Sequence, residues 1–261
     1  MIHRPFARLA LPLLLAVALG VGCSSDTTEP PPVYEATGTA SGAIELGGET
    51  VLRCVSAKGP VTVQGEGLAG VRWYLYKYAT APTQEQANAA LAQIGVSSAT
   101  AADTLVFDVV APPDGEVFYA AAATLGIPFQ MACTVENAAA TVEVSDLFRP
   151  LRVRASDAVT VVRHASSCDL STARGAVYVE AAVPDSGYCL AGTGEGSVEL
   201  RLPASSSARI WAHTADGAVT VVGLTLADRA DSTGYVSGTL GTGTAEVRLE
   251  THKGDIVIRA L

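Results

Sequence analysis

The sequence predicts an all-β protein, a β-solenoid with one short helix on an edge or end. Three observations point there. A phrase recurs along most of the chain: Thr or another residue, two variable residues, a glycine, one more residue, then alternating aliphatics. Two cysteines stand at the same place in consecutive copies of that phrase. The chain also carries 25 glycines against 2 methionines, which favours a turn-rich sheet protein over a helical one.

The copies centre on Gly42, Gly59, Gly115, Gly175, Gly196, Gly217 and Gly254, as in "TARGAVYV", "TADGAVTV" and "THKGDIVI". Degenerate copies replace the glycine at Ala140, Asp157 and Ala245. Glycine supplies the positive φ of a tight corner, and Asp is among the tolerated substitutes. The alternation that follows puts Val, Ile or Leu on one face of a strand and Thr, Glu or Arg on the other. From Ala140 onward the centres lie 17, 18, 21, 21, 28 and 9 residues apart. Spacings near 20 match one coil of a solenoid, whereas an antiparallel sandwich turns every ~8–12 residues. The closing spacing of 9 fits the sandwich better and suggests a hairpin-like cap made by the last two copies.

Besides Cys23 the chain has Cys54, Cys133, Cys168 and Cys189. Cys168 lies seven residues before Gly175, and Cys189 lies seven before Gly196. Stacked coils sit about 4.8 Å apart, a separation that a disulfide tolerates, so a Cys168–Cys189 bridge is expected. Cys54–Cys133 follows by elimination, although their offsets from Gly59 and Ala140 differ, five against seven.

One stretch departs from the phrase. "PTQEQANAALAQIGV" has Thr83 as an N-cap candidate, Ala87, Ala90, Leu91 and Ile94 on one face, and Gly95 as a stop, which reads as a short helix capping a sheet edge. In the preceding "VRWYLYKYA", Trp73 alternates with Tyr74, so Tyr74, Tyr76 and Tyr78 share a face. Covered by the helix, that face is core, the reading adopted here; exposed, it would stack on sugar rings.

The N-terminus is an address. Residues 1–22 have a basic start at His3, Arg4 and Arg8 and an apolar run too short to span a bilayer comfortably. Gly22 and Cys23 resemble a bacterial lipoprotein signal, with Leu19 one position early and Gly20 in its usual place. Acylation of Cys23 is therefore expected in place of ordinary cleavage, with Ser24 pointing to the outer membrane. Residues 23–36 form the lipidated cysteine and a proline-stiffened tether, and 37–261 the β-solenoid. A formal charge of −9 argues against nucleic acid as a partner.

The exported N-terminus, the glycine-turn-valine coils and the Ala87, Leu91, Ile94 spacing together resemble a family of bacterial envelope β-solenoids, adhesin-like and of unknown function. The passage Leu200 to Val219, with its proline corner and long extended run, carries the same resemblance. The family implies a binding surface and supplies no catalytic residues.

The residues agree in offering no catalytic motif. No HExxH, GxSxG or phosphate-loop spacing occurs. His164, His213 and His252 share no coil position, so no metal column is expected, and no cofactor. The competing reading is a carbohydrate-active enzyme resembling a polysaccharide lyase, drawing on Arg152, Arg154 and Arg163 near Asp157, with Asp216 and Asp228. The expectation adopted is a membrane-anchored envelope surface with a glycan or an envelope protein as partner. Cys23→Ala should release the protein from membranes or block its processing; fractionation that finds the variant matured and membrane-bound would refute the lipid anchor.

Overall fold

Alternation decides which face of each strand is apolar, and glycines decide where the chain can turn between strands. A computed structural model describes residues 33–56, 58–112 and 117–261 and is all-β apart from one helix. Cys23 and the rest of the predicted signal and lipidation segment, most of the predicted tether, and Gly115 lie outside the described residues.

The chain opens with β1 (Tyr34–Glu45), β2 (Val51–Ser56), β3 (Val61–Glu66) and β4 (Gly70–Ala81). It continues through α1 (Gln84–Gln93), β5 (Gly95–Ala101), β6 (Thr104–Val110) and β7 (Phe118–Pro128). Two-strand units follow: β8 (Ala132–Asn137) with β9 (Val142–Ser145), β10 (Leu151–Ala155) with β11 (Val159–His164), and β12 (Cys168–Arg174) with β13 (Val177–Ala181). Next come β14 (Tyr188–Glu195) with β15 (Val198–Leu202), and β16 (Ala208–Asp216) with β17 (Val219–Val222). β18 (Ala227–Ser232) and β19 (Tyr235–Leu240) precede the final unit, β20 (Ala245–Lys253) with β21 (Ile256–Ala260).

Each unit places one strand in either of two large sheets. The first runs β1-β4-β7-β3-β9-β11-β13-β15-β21-β17, and the second β18-β19-β16-β20-β14-β12-β10-β8-β2-β6-β5. Pairings between units are parallel, as in β12–β14 and β13–β15. Antiparallel pairs sit at the ends of the stack, in β1–β4–β7, β5–β6 and β16–β19–β18. Inward side chains line up in columns between the sheets: Val159, Val177, Val198 and Ile256 on one side, Leu151, Cys168, Cys189 and Val247 on the other, all in one core.

The units do not stack in chain order. The last one, β20–β21, is inserted between β14–β15 and β16–β17. At the other end β6–β7 lies outside β2–β3, so there the earlier unit is the inner one.

The helix forms where the sequence places it. Thr83 Oγ1 accepts from Gln86 N at 3.2 Å, and Ile94 ends the helix one residue before Gly95. Ala87 packs with Ala36 and Ala81, Ala90 and Ile94 join the main core, and Lys77 Nζ donates to the Ile94 carbonyl at 3.1 Å.

The glycine corners share one construction. Gly59, Gly175, Gly196, Gly217 and Gly254 have φ of 128°, 88°, 152°, 155° and 137°. A Cβ on Gly196 would lie 2.1 Å from the Gly175 carbonyl oxygen, on Gly254 2.2 Å from that of Gly196, and on Gly217 2.2 Å from that of Gly254. The stacked corners touch backbone to backbone, which only glycine permits. At three joints the Thr that opens the phrase closes the contact. Thr193 Oγ1 donates to the Gly175 carbonyl at 3.0 Å, Thr251 to Gly196 at 2.9 Å and Thr214 to Gly254 at 2.8 Å. Asn137 does the same for Gly59, at 2.9 Å.

Two predicted corners differ. Gly42 lies within β1 opposite Trp73, and a Cβ there would meet the indole at 2.7 Å; it is a packing glycine, and no turn occurs at it. Ala245 begins β20, and the last unit turns at Gly254 into a parallel strand, so the final copies form no hairpin cap. The antiparallel hairpin at that end is β18–β19.

Cys168 and Cys189 are direct partners across β12 and β14, as their shared offset predicts. In this structure both are thiols with Sγ atoms 3.4 Å apart. Cys54 and Cys133 do not face one another: Cys54 pairs with Val135, and Cys133 with Leu52. A two-residue diagonal between adjacent strands spans roughly 8 Å, beyond the Cα separation a disulfide bridges. Burial pushes the Cys54 thiol up to about 12 and raises Cys133 as well. Its hydrogen bond to Cys189, then burial, raises Cys168. Because the thiolate is the reactive form, burial lowers the reactivity of Cys54 and Cys133 in the folded protein.

Gly217→Val should destabilise by about 3 kcal/mol or more, since it adds a Cβ where a carbonyl already sits, whereas exposed Thr220→Val should stay within about 0.5 kcal/mol. Equal thermal unfolding of the two variants would contradict the corner assignment. Oxidative refolding should join Cys168 to Cys189 and stabilise by roughly 3 kcal/mol. Non-reducing peptide mapping that pairs Cys168 with Cys54 or Cys133 would contradict the register.

Candidate functional site

Most residues singled out as chemical candidates are dispersed by the register. Arg152 and Arg154 both turn to Asp169, at 3.5 and 2.5 Å, on the outer face of the second sheet. Arg163 pairs with Asp146 on the first sheet at 2.6 Å and holds that carboxyl below its usual range. The Asp157 carboxylate accepts from Ala158 N in a corner, Asp216 ends β16, and Asp228 lies in β18. The cluster that a lyase-like centre requires is not assembled from these residues.

The histidines are equally separate. His164 is buried where the β11 register shifts, its Nε2 3.2 Å from the Ser167 carbonyl and its Nδ1 without a partner. Burial lowers its pKa, so the ring is held neutral. His213 and His252 face outward from β16 and β20.

The tyrosine face is not core. Tyr74 is 47% exposed and Tyr76 45%, while Leu75 and Ala79 between and beyond them point inward. The helix packs on the inward side of β1 and β4, against Ala36 and Ala81, and leaves the tyrosines uncovered. Tyr78 donates to Glu35 Oε1 at 3.0 Å and meets the edge of Phe118.

A denser assembly lies on the outer face of the second sheet. There β14, β20, β16 and β19 stand side by side, and their outward residues form a lattice. One row is Tyr188, Glu246, Arg209 and Thr239; the next is Leu190, Arg248, Trp211 and Ser237; the third is Gly192, Glu250, His213 and Tyr235. Arg248 donates to Glu250 Oε1 at 2.6 Å and lies 4.8 Å over the Trp211 ring. Tyr235 meets Trp211 edge-on at 6.0 Å, and His213 lies 5.8 Å from it. These contacts hold the indole in place.

Beside this lattice is an open groove of about 790 Å³, lined among others by Tyr188, Arg209, Trp211, Thr242, Thr244 and Glu246. Its far wall is preorganised. Ser207 Oγ accepts from the backbone N–H of Thr242 and of Thr244, both at 3.1 Å, and Thr244 Oγ1 donates to Asp185 at 2.5 Å. Sequence reading did not single out Trp211, Arg209, Tyr188 or Glu246. The signal was present in "ARIWAHTAD", whose alternation sets Arg209, Trp211 and His213 on one face. What it lacks is the neighbour: β20 enters beside β16 out of chain order, so the sequence does not bring Glu246 and Arg209 together.

Among solved structures, the chain is similar to a "putative cell adhesion protein" from Clostridium sporogenes ATCC 15579. The TM-score is 0.51 at 11% identity, covering 87% of this chain and 100% of that one. A "putative adhesin" from Bacteroides fragilis NCTC 9343 gives a TM-score of 0.35 at 10% identity, over 88% of this chain and 99% of that one. No family model matches, and no curated protein matches. The first similarity establishes a shared fold.

Proposed function

We propose that the protein is a cell-envelope lipoprotein, anchored through acylated Cys23, whose stacked units form a β-solenoid that serves as an adhesive or scaffolding surface. The observation that carries this reading is the outer lattice of β14, β20, β16 and β19. Its aromatic and charged groups are held at strand register on a broad face, where lateral contact with a partner is possible over several strands. The fold shared with the "putative cell adhesion protein" supports the same reading. The parallel in-register units and the glycine corners support the solenoid.

Full-length protein reconstituted in vesicles through its anchor should retain them on isolated cell walls or outer-membrane fragments at least about tenfold above protein-free vesicles. Equal retention of both kinds of vesicle, or depolymerisation of a wall polysaccharide by the protein, would overturn the reading.

A further inference from the structure

The outer face of the second sheet pairs its charges locally. Arg53 meets Glu136, Arg152 and Arg154 meet Asp169, and Arg248 meets Glu250. Inside the groove Arg209 and Glu246 are not paired in this way, although Arg248 feels the Glu246 charge. They are neighbours in register on β16 and β20, both exposed and both in the groove, yet no ion pair or hydrogen bond joins either side chain to another among the described residues. Gly243 leaves room for this arrangement. Its φ is 72°, and a Cβ there would crowd Thr239 at 2.9 Å and the Arg209 stem at 3.3 Å.

We propose that this groove is a carbohydrate site for uncharged glycans, an inference that rests on the binding-surface reading and gives it a ligand class. The charges decide the class. An anionic ligand meets Glu246 and a cationic one meets Arg209, so a charged ligand of either sign gains one partner and is repelled by the other. A neutral polyol satisfies both: its hydroxyls donate to the Glu246 carboxylate and accept from the Arg209 guanidinium, as charge-assisted hydrogen bonds. Tyr188, 40% exposed on one wall, and Trp211 on the other offer ring surface for the C–H faces of a pyranose. The Thr242 and Thr244 wall, fixed through Ser207, adds polar groups without further ordering cost. The volume falls in the range of small-ligand sites.

The chain has two tryptophans, and the other, Trp73, packs against Phe107, so Trp211 emission reports on the groove. Full-length protein in detergent should be titrated with cellohexaose, maltohexaose, xylohexaose and chitohexaose. Oligogalacturonate and a chitosan hexamer serve as charged comparisons, and an uncharged Ser/Gly-rich peptide as the protein-like comparison. At least one neutral hexasaccharide should shift the emission saturably and bind about tenfold tighter than either charged oligomer or the peptide.

Arg209→Ala and Glu246→Ala should each weaken binding about tenfold, while Tyr74→Ala on the other sheet leaves it unchanged. Trp211→Ala should do the same by calorimetry; if that variant melts early, Tyr188→Ala replaces it. Preference for a charged oligomer or the peptide, silence with all four neutral sugars, or full binding by folded Arg209→Ala and Glu246→Ala would overturn the site. Vesicles carrying these variants separate the two claims. Retention with lost glycan binding leaves the adhesive surface standing on other contacts. Glycan binding by wild-type protein without vesicle retention leaves the groove and removes the adhesive role.

Discussion

Everything in this fold depends on how closely two corners can approach. Gly175, Gly196 and Gly254 each donate the backbone N–H to the next unit in the stack, Gly175 to the Glu195 carbonyl at 2.8 Å and Gly196 to that of Lys253 at 2.7 Å. The carbonyl of each accepts a threonine hydroxyl from that same unit. Backbone contact on this scale leaves no volume for a side chain. Where the glycine is missing, the joint is rebuilt: Asn137 Oδ1 accepts from Ala139 and Ala140 N–H, and Thr172 donates to the Asp157 carbonyl. Single hydrogen bonds of this kind contribute about 1 kcal/mol, less than the roughly 1.5–3 kcal/mol of each buried aliphatic side chain. The core therefore dominates stability, and the corners fix which residue faces which.

That fixed register gives the outer faces their order. Because inward columns cannot slip without exposing valines, the outward columns are equally constrained. Exposed ion pairs such as Arg53–Glu136 add little to stability, ~0–1 kcal/mol, and their effect is to hold guanidinium and carboxylate groups in set directions. The groove beside Trp211 brings two such groups, Arg209 and Glu246, to neighbouring places in register without an ion pair between them.

The parts legible in the sequence are those that local stereochemistry controls. Thr83 capping α1, the corners at Gly175 and Gly196, and the shared facing of Cys168 and Cys189 all follow from spacing within one or two units. Gly42 misleads because a glycine that makes room for an indole looks, in one dimension, like a glycine that turns. The tyrosines mislead because alternation gives two faces without saying which one the helix covers; Ala36, Ala81 and Ala87, small enough for close packing, decide it. The order of the units is not written locally at all. Only the long interval of 28 residues between Gly217 and Ala245 hints that the chain leaves the stack and returns.

The return has a consequence for how the molecule is made. The unit β16–β17 is synthesised before β20–β21, yet among the described residues its only parallel neighbour in either sheet is that later unit. Until β20–β21 emerges, Ile210 and Ala212 have no parallel partner among the described residues, and β14 and β15 present a bare edge. A chain synthesised in this order thus cannot finish its sheet piecemeal. The β20–β21 unit acts as a keystone, and a copy that lacks it is left with an open, pairing-competent edge.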